Sequence, residues 1–557
     1  MKNDPGPILA KLSETERDFV RAIAGSERYV LLEVLRSADV AGYLKAFEPN
    51  RKVPGAPGFI DIALGGLPRA IALLSPAGFQ GPGIMWGPPN LDQATTVNSF
   101  LYRTGLASHV RRLAHLARQG LAEFEQRDDG ACRFTILAED YEAIDRGAIE
   151  WHAAHLRRDS APLIAAHRSA NKRWVDAELQ ARVSVDPRFG IRYTSSRELE
   201  AYFETYAGLR ADSLPGHDAL PLECRLGPLT FGQYRTAAVV GMARALKHLA
   251  FVDTLARRNP RLDRRLVTTL FSEDEKIGGE WGGLLGLDGE QTRALLEVMG
   301  ISGMDAPDLE GSFDCPNAML VRAGDGFWHQ PIYGAVSNPF DWMTRKLRRM
   351  FRPDWDRSVD LREAAYRADL ERLFAEPRFY FHPSTPRLRD STGDRTNIDA
   401  LILDRKAGTL AVVQIKWQDP FHTSLSERAS RIKNLAKEGN KWIQTVVDHC
   451  AGCDDPAMGR RLGLPAVEAA RVTNTKFYVL TRNGARFSGP QQQDERAAWI
   501  SWFELVRLLD GTRRHDDPIG EIWRRAREAR PPKPRKHVDK FRVDGLDIEV
   551  VHAAARS

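Results

Sequence analysis

Asp399, Gln414 and Lys416 lie at the ends of two consecutive apolar runs, and their types and spacing are suited to chemistry. Asp399 comes directly before the run 400–403, and a short turn-forming segment leads into the second run, 410–417. Because side chains alternate across a strand, Gln414 and Lys416 share one face of the second run. The short connection predicts a hairpin, which places Asp399 beside the end that carries Gln414 and Lys416.

These side chains fit metal-assisted hydrolysis of a phosphodiester. This reaction needs a divalent cation that polarises a phosphoryl oxygen and lowers the pKa of an attacking water. Mg²⁺ prefers oxygen ligands, so we expect it to bind the Asp399 carboxylate, the Gln414 amide oxygen and the Ile415 carbonyl, with Mn²⁺ as a substitute. A nearby lysine stabilises developing negative charge, which is the role predicted for Lys416.

The pattern Asp, spacer, then Glu, Asp or Gln followed by x-Lys across a hairpin resembles the motif of the PD-(D/E)xK nucleases. The glutamine form, with Trp417 after the lysine, resembles the branch that includes Mrr-type restriction endonucleases. That branch has a glutamate in the helix before the sheet and a leucine seven residues later, which Glu363 and Leu370 match. A strand at 477–481, followed by a helix that opens near Trp502, is similar to the end of such domains. The resemblance covers about the last third of the chain.

The resemblance implies a restriction endonuclease-like mixed sheet flanked by helices and an endonuclease activity that depends on Mg²⁺. The catalytic residues implied are Asp399, Gln414, Lys416 and Glu363, with Glu363 joining Asp399, Gln414 and Ile415 at the metal. The chain departs from the wider group at Gln414, because a neutral amide binds Mg²⁺ more weakly than a carboxylate does. Glu363 restores the missing charge if its helix packs over the strand ends.

The surrounding sequence predicts an α/β protein in which this sheet follows a large helical region. From 358 to 509 the predicted order is helix, three strands, helix, two strands and helix, which is typical of a sheet flanked by helices. A Gly- and Pro-rich stretch at 51–92 is expected to form irregular loops within the mainly helical part. The predicted domains are 1–335, 336–515 and 516–557. The last of these is basic and Pro-rich, with a small hairpin around Asp544-Gly545.

Two predicted helices carry basic residues that could face a phosphate backbone. In the helix at 426–449, Arg428, Arg431 and Lys441 are the candidates for nucleic-acid contacts, and a solvated helix face explains them equally well. The helix that begins at Pro339 has four basic residues beside an apolar stripe. For this helix we favour a core element with a solvated basic face over a helix that lies along a phosphate backbone.

Composition adds only mild constraints. The 557 residues include 80 Lys and Arg against 74 Asp and Glu, and the resulting charge of +6 is weak support for an anionic partner. Five scattered cysteines are typical of a reducing cytoplasm rather than of a disulfide framework. There is no basic and apolar leader and no run near the roughly 18 apolar residues of a membrane span. We therefore expect a soluble, cytoplasmic protein that does not bind membranes.

Taken together, the sequence predicts a metal-dependent nuclease that hydrolyses phosphodiester bonds of nucleic acid, with DNA favoured as the substrate. A role in restriction or defence follows only by analogy with Mrr-type enzymes. Two alternatives stay open: a catalytically silent nuclease-fold module that binds nucleic acid or a partner, and a DNA repair or junction-processing nuclease. A double-strand break made in one event needs two active sites, which a homodimer would supply. Residues 1–335 would recognise the target, a partner or a signal.

Overall fold

Mixed sheets flanked by helices organise the chain, which is an α/β protein, as the sequence predicts. The computed structural model describes residues 4–47, 58–83, 86–137, 140–310, 317–375, 377–390, 393–417, 425–488, 492–531 and 537–552. The Pro-rich part of the predicted tail, 532–536, lies outside these ranges.

Up to residue 337 the chain is mainly helical, with short strands between the helices. The helices are α1 (Gly6–Ala22), α2 (Glu27–Phe47), α3 (Phe59–Gly78), α4 (Leu91–Arg118), α5 (Glu142–Arg182), α6 (Arg197–Ala211), α7 (Phe231–Arg258), α8 (Arg264–Thr268), α9 (Asp274–Leu285), α10 (Gly289–Met299), α11 (Ala306–Glu310) and α12 (Ile332–Ser337). The strands are β1 (Ala122–Gln126), β2 (Cys132–Ile136), β3 (Val183–Ser184), β4 (Arg192–Tyr193), β5 (Arg225–Leu226), β6 (Leu229–Thr230), β7 (Leu270–Glu273), β8 (Gly300–Ile301), β9 (Leu320–Gly324) and β10 (Phe327–Gln330). In one mixed sheet the strand order is β7-β10-β9-β8.

Helix α3 lies where the sequence predicts irregular loops, so that prediction is wrong over residues 59–78. The helix contains Pro68 and Pro76, which its backbone tolerates because apolar residues along it are buried against α2 and α4. Pro76 has no N–H for the carbonyl of Ala72, and the Ser75 hydroxyl donates to that oxygen instead, at 3.0 Å. At Gly66 a Cβ would come within 2.3 Å of a backbone oxygen of α4, so the glycine permits close packing of the two helices.

The same helix has a length and composition that would allow it to cross a membrane. Within the described ranges it is the one helix that passes this test, and 56% of its apolar window is buried inside the structure. It is not an uninterrupted apolar run, because it carries Asp61 and Arg69. The Arg69 guanidinium is buried and donates to the Glu16 carboxylate of α1 at 2.9 Å. A buried core helix meets the same criteria as a membrane span, so they are weak evidence of one.

The C-terminal part of the chain contains the predicted mixed sheet. Its helices are α13 (Pro339–Met350), α14 (Arg352–Arg357), α15 (Val359–Leu373), α16 (Leu425–His449), α17 (Asp455–Arg461), α18 (Ala466–Ala469), α19 (Trp502–Thr512) and α20 (Pro518–Glu528). Its strands are β11 (Phe379–Phe381), β12 (Arg387–Asp390), β13 (Gly393–Asn397), β14 (Ala400–Asp404), β15 (Thr409–Lys416), β16 (Asn474–Thr481), β17 (Ala497–Ser501), β18 (His537–Val543) and β19 (Leu546–His552). The predicted helices and strands occur in the predicted order, and the β12–β13 hairpin and the short helices α17 and α18 are additions that the sequence pattern does not indicate.

Five strands form this sheet in the order β11-β14-β15-β16-β17. Neighbours are antiparallel from β11 to β15 and parallel from β15 to β17. One face packs against α16, α17 and α18, through residues such as Leu401 and Val412. The other face packs against α15, α19 and α20, through residues such as Ile402 and Val413. Since both faces are buried, polar side chains of the central strands are confined to the strand ends.

The N-terminal and C-terminal parts of the chain do not separate at the predicted domain boundaries, because segments of each part pack with the other. α13 and α14 contribute to the core of the N-terminal helices, and α20 covers the five-stranded sheet. The predicted hairpin is present as β18 and β19, and β19 pairs in parallel with β2, which gives a sheet of order β1-β2-β19-β18. In α5, the Asp145 carboxylate accepts hydrogen bonds from the backbone of Ala485 and Arg486, at 2.8 and 3.0 Å. The N-terminal and C-terminal parts are therefore joined by several contacts.

The predicted core helix is present, but its basic residues do not form one solvated face, because Lys346 is buried, Arg345 and Arg348 are half-buried and Arg349 is exposed. Asn338 caps this helix by accepting a hydrogen bond from the Phe340 N–H at 3.3 Å. Lys346 is only 2% exposed, and its ammonium donates to Asp305 at 2.7 Å. Arg349 also pairs with Asp305. These cations therefore tie α13 to the turn that precedes α11.

We expect Lys346→Ala to destabilise the helical core, because it leaves Asp305 buried with one cation fewer. Loss of one partner of a buried ion pair costs about 3–5 kcal/mol, and the remaining contact with Arg349 favours the lower end. Urea unfolding, with hydrogen exchange of the α13 amides, measures the change. The control is Lys406→Ala, which removes an exposed pair with Asp516 and should cost about 1 kcal/mol or less. Equal effects of the two substitutions would contradict this account of α13.

Candidate active site

The β14–β15 hairpin brings the sequence-predicted residues together. Gly408 ends the connection with a φ of 70°, which a residue with a side chain rarely adopts. Ala400 pairs with Val413, so Asp399 lies opposite Gln414, and the Asp399 N–H donates to the Val413 carbonyl at 3.1 Å. The predicted hairpin is therefore present.

The Asp399 carboxylate is held by hydrogen-bond donors in a buried position. The backbone N–H of Ile415 donates to its Oδ2 at 2.7 Å, and the Gln414 Nε2 donates to the same oxygen. The Asn397 Nδ2 donates to its Oδ1 at 2.8 Å. Burial raises the pKa of Asp399 to about 6, although the Ile415 hydrogen bond, the Lys416 charge and the Gln414 hydrogen bond each favour the ionised form.

The backbone N–H and C=O of Ile415 both lie on the Asp399 side of β15. In a strand the N–H and the C=O of one residue point to the same side, and the N–H of Ile415 points at Asp399. The next carbonyl, of Lys416, points the other way, because it accepts a hydrogen bond from the Arg482 N–H at 3.3 Å. The Ile415 carbonyl therefore lies on the Asp399 side of β15, where a ligand role requires it.

Lys416 emerges at the end of β15, on the face of Gln414. Its ammonium lies 3.5 Å from the Glu438 carboxylate of α16, and its side chain is 30% exposed. Glu438 was not predicted as a site residue. It belongs to a different element, 22 residues further along the chain, so only the packing of α16 on the sheet reveals its position.

Glu363 reaches the same end of the sheet from α15. Burial raises its pKa, and the negative charge of Asp399 raises it further, while Lys416 lowers it. These influences place the three charged groups in one electrostatic neighbourhood. The helix is fixed there by Tyr366, whose hydroxyl donates to the Thr481 carbonyl at 3.0 Å, and by Arg367, which donates to the Asp399 carbonyl at 3.0 Å. Arg367 and Asn397 are further neighbours of the site that the sequence pattern does not identify.

A cationic and aromatic cluster borders the site. The indole of Trp417, directly after Lys416, has the guanidinium groups of Arg362 and Arg482 each 5.5 Å from its ring centre. Arg482 also pairs with Asp218 of the N-terminal part. Both cations are largely buried, because Arg362 is 4% exposed and the side chain of Arg482 is 13% exposed.

Of the three side chains predicted to contact nucleic acid, the structure describes one, that of Lys441. Arg428 and Arg431 lie on α16, and their side chains are outside what the structure describes. Lys441 has an exposed side chain on the same helix, where the residues after it, Trp442 and Ile443, face the core. Lys441 is therefore open to solvent.

The site contains two acids, Asp399 and Glu363, whose pKa values are both raised. The Gln414 amide, the Ile415 carbonyl and the Lys416 ammonium lie at the same end of the sheet. Two carboxylates near each other in a partly buried site destabilise each other when both are ionised. A bound divalent cation would remove that repulsion and favour the ionised forms. The donor set is rich in oxygen, which suits a hard cation rather than zinc.

We expect Gln414→Glu to destabilise the metal-free protein in a pH-dependent way. The substitution replaces a donor to Asp399 with a second acid, and loss of a buried hydrogen bond costs about 1–3 kcal/mol. An acid with a raised pKa contributes its stability below that pKa and loses it as the pH rises. The deficit should therefore be small at pH 5, grow through about pH 6 and be largest at pH 8.

Thermal unfolding in EDTA across this pH range tests the expectation. Gln444→Glu is the matched control, because Gln444 also donates to an aspartate, Asp448, at 2.6 Å, but on the exposed side of α16. A deficit that does not change with pH, or one equal to that of the control, would contradict the electrostatic coupling described for Asp399.

Comparisons with known proteins yield no relative. No family model matches the sequence. No curated protein and no solved structure matches it either. Any account of the site therefore depends on its own residues and their geometry.

Proposed function

We propose that the chain is a metal-dependent nuclease of the PD-(D/E)xK type that hydrolyses phosphodiester bonds, with DNA as the favoured substrate. The observation that carries the proposal is the meeting of Asp399, Gln414 and Lys416 at one end of the β14–β15 hairpin, with Glu363 approaching from α15. The order α15, β11, β14, β15, α16, β16, with strands antiparallel up to β15 and parallel after it, supports this proposal.

The residues present fit a hard divalent cation, Mg²⁺ or Mn²⁺. Asp399, Glu363, the Ile415 carbonyl and the Gln414 amide oxygen would hold it. Gln414 now turns its Nε2 toward Asp399, so a ligand role requires a half-turn of the amide, which exchanges nitrogen for oxygen. When bound, the cation would supply Lewis acidity at the phosphoryl group and a more acidic water.

The other groups of the site have roles that follow from their positions. Lys416 is partly exposed at the rim, where its ammonium can stabilise negative charge on the phosphoryl oxygens. Glu438 positions that ammonium through their ion pair.

One observation favours a second candidate function, a catalytically silent module that binds nucleic acid. The Asp399 carboxylate already accepts hydrogen bonds from Gln414, Ile415 and Asn397. Protein donors therefore satisfy a group that a metal ligand must offer to the cation. Three of the roughly four acceptor sites of this carboxylate are thus occupied, which leaves one on Oδ1 for a cation.

Cleavage by the purified protein tests the proposal, with supercoiled plasmid and linear duplex DNA in Mg²⁺, Mn²⁺ or EDTA. We expect cutting that depends on the metal and falls by about 100-fold or more in Lys416→Ala, since loss of one group that stabilises a developing charge has an effect of that size. Lys406→Ala is the control, because Lys406 is exposed and pairs with Asp516 away from the hairpin end. Equal cutting by the two variants would reject Lys416 as a catalytic residue. DNA binding without cutting by the native protein would favour the silent module.

Glu363→Gln tests the metal ligands separately from the lysine. It removes a negative charge beside Asp399, so we expect about 10–100-fold more Mg²⁺ to be needed for half-maximal cutting, with partial rescue at saturation. Glu371→Gln, at an exposed position of the same helix, should leave the metal requirement unchanged. An unchanged requirement in Glu363→Gln would exclude Glu363 from the metal site.

A further inference from the structure

Two histidines and an aspartate meet at the open end of the β18–β19 hairpin. His537 and His552 are direct cross-strand partners, and Asp539 lies two residues beyond His537 on the same face of β18. The two imidazole rings stack with their centres 4.0 Å apart. One ligand atom from each of the three side chains lies within 4.8 Å of those from the other two.

The distances between these atoms match those around a tetrahedral metal. The Asp539 Oδ2 lies 3.2 Å from the His537 Nε2 and 3.4 Å from the His552 Nε2. Ligands bound at roughly 2.0–2.1 Å to a tetrahedral ion are about 3.3–3.4 Å apart. Because a metal binds in the plane of an imidazole ring, at least one of the two stacked rings must rotate out of the stack for both nitrogens to bind one cation.

The cluster occupies a defined place in the fold. The same face of the hairpin continues inward through Phe541, Ile548 and Val550, which pack in the core between this sheet and α4. His552 also lies beside Ile136 of β2, because β19 pairs with β2 in parallel. The cluster therefore lies at the edge of a hydrophobic core to which residues from both ends of the chain contribute.

The candidate ligand atoms of the three side chains lie together. The Nε2 atoms of both histidines are within 3.4 Å of the same oxygen, Oδ2 of Asp539. An imidazole nitrogen and a carboxylate oxygen are both metal ligands in proteins.

We propose that His537, Asp539 and His552 bind one transition-metal dication of the Zn²⁺ class. Two imidazole nitrogens and one carboxylate oxygen are a donor set for zinc, in contrast to the oxygen donors near Asp399. Water would fill the remaining position on the exposed side. The bound ion links the first residue of β18 to the last residue of β19, and so stabilises the pairing of this hairpin with β2.

Calorimetric titration of the full chain with Zn²⁺ tests this proposal, using protein purified without a metal-affinity column and stripped of metal. We expect one equivalent to bind, with slower hydrogen exchange in β18 and β19, and Co²⁺ in its place to give the visible absorption of a tetrahedral site. The double variant His537→Ala/His552→Ala should weaken Zn²⁺ binding by at least the roughly 10–100-fold that loss of an outer-shell partner causes. Mg²⁺ should not compete.

Single substitutions inside and outside the cluster serve as controls. Asp539→Asn should weaken binding, whereas Asp547→Asn, at an exposed position of the same hairpin, should not. His515→Ala removes an exposed histidine elsewhere and should also leave binding unchanged. Equal affinity in the native protein and the double variant would place the zinc elsewhere, for example at Cys450 and Cys453, and would overturn the proposal. So would bound Zn²⁺ that leaves hydrogen exchange of the hairpin unaltered. Neither result depends on whether the chain cuts DNA.

Discussion

The register of β15 is the constraint on which the candidate site depends. This strand pairs with β14 on one edge and with β16 on the other, from Thr409 to Lys416 on the β16 side. A slip of one residue would exchange the two faces and would bury Gln414 and Lys416 among the apolar residues that pack on α15, α19 and α20. Neighbours on both edges and cores on both faces therefore fix where these polar side chains point.

The buried Asp399 carboxylate makes the site electrostatically demanding. Three donors hold it, yet burial still raises its pKa to about 6, and Glu363 adds a second acid whose pKa is also raised. Burial of a charged carboxylate costs free energy, so apolar side chains at this position would give a more stable fold. Acids whose pKa values are raised in this way are typical of functional sites, as the proposed function requires.

The β14–β15 hairpin was predicted from a local sequence pattern. The features that were not predicted depend on tertiary packing. The alternation of Gln414 and Lys416 after a short turn is a local pattern, and the structure contains that hairpin. The helix α3 was missed because its glycines and prolines are typical of loops, whereas burial against α4 decides its conformation. Glu438 and the pairing of Lys346 with Asp305 involve residues 22 and 41 positions away in the chain, and no spacing rule connects such residues. Sequence patterns thus identified the strand ends and the helix that carries Glu363, but not partners from other elements, such as Glu438, that packing brings beside them.

The interleaving of the chain gives the N-terminal part a direct connection to the site. Arg482 follows β16, lies over Trp417 beside Lys416, and forms an ion pair with Asp218, which belongs to the N-terminal part. In α5, the Asp145 carboxylate accepts hydrogen bonds from the backbone of Ala485 and Arg486, only a few residues further along. A movement of the N-terminal helices relative to the sheet would have to break these contacts or shift the segment that carries Arg482. The N-terminal part is therefore connected to the Trp417 side of the site through side chains that are already in contact.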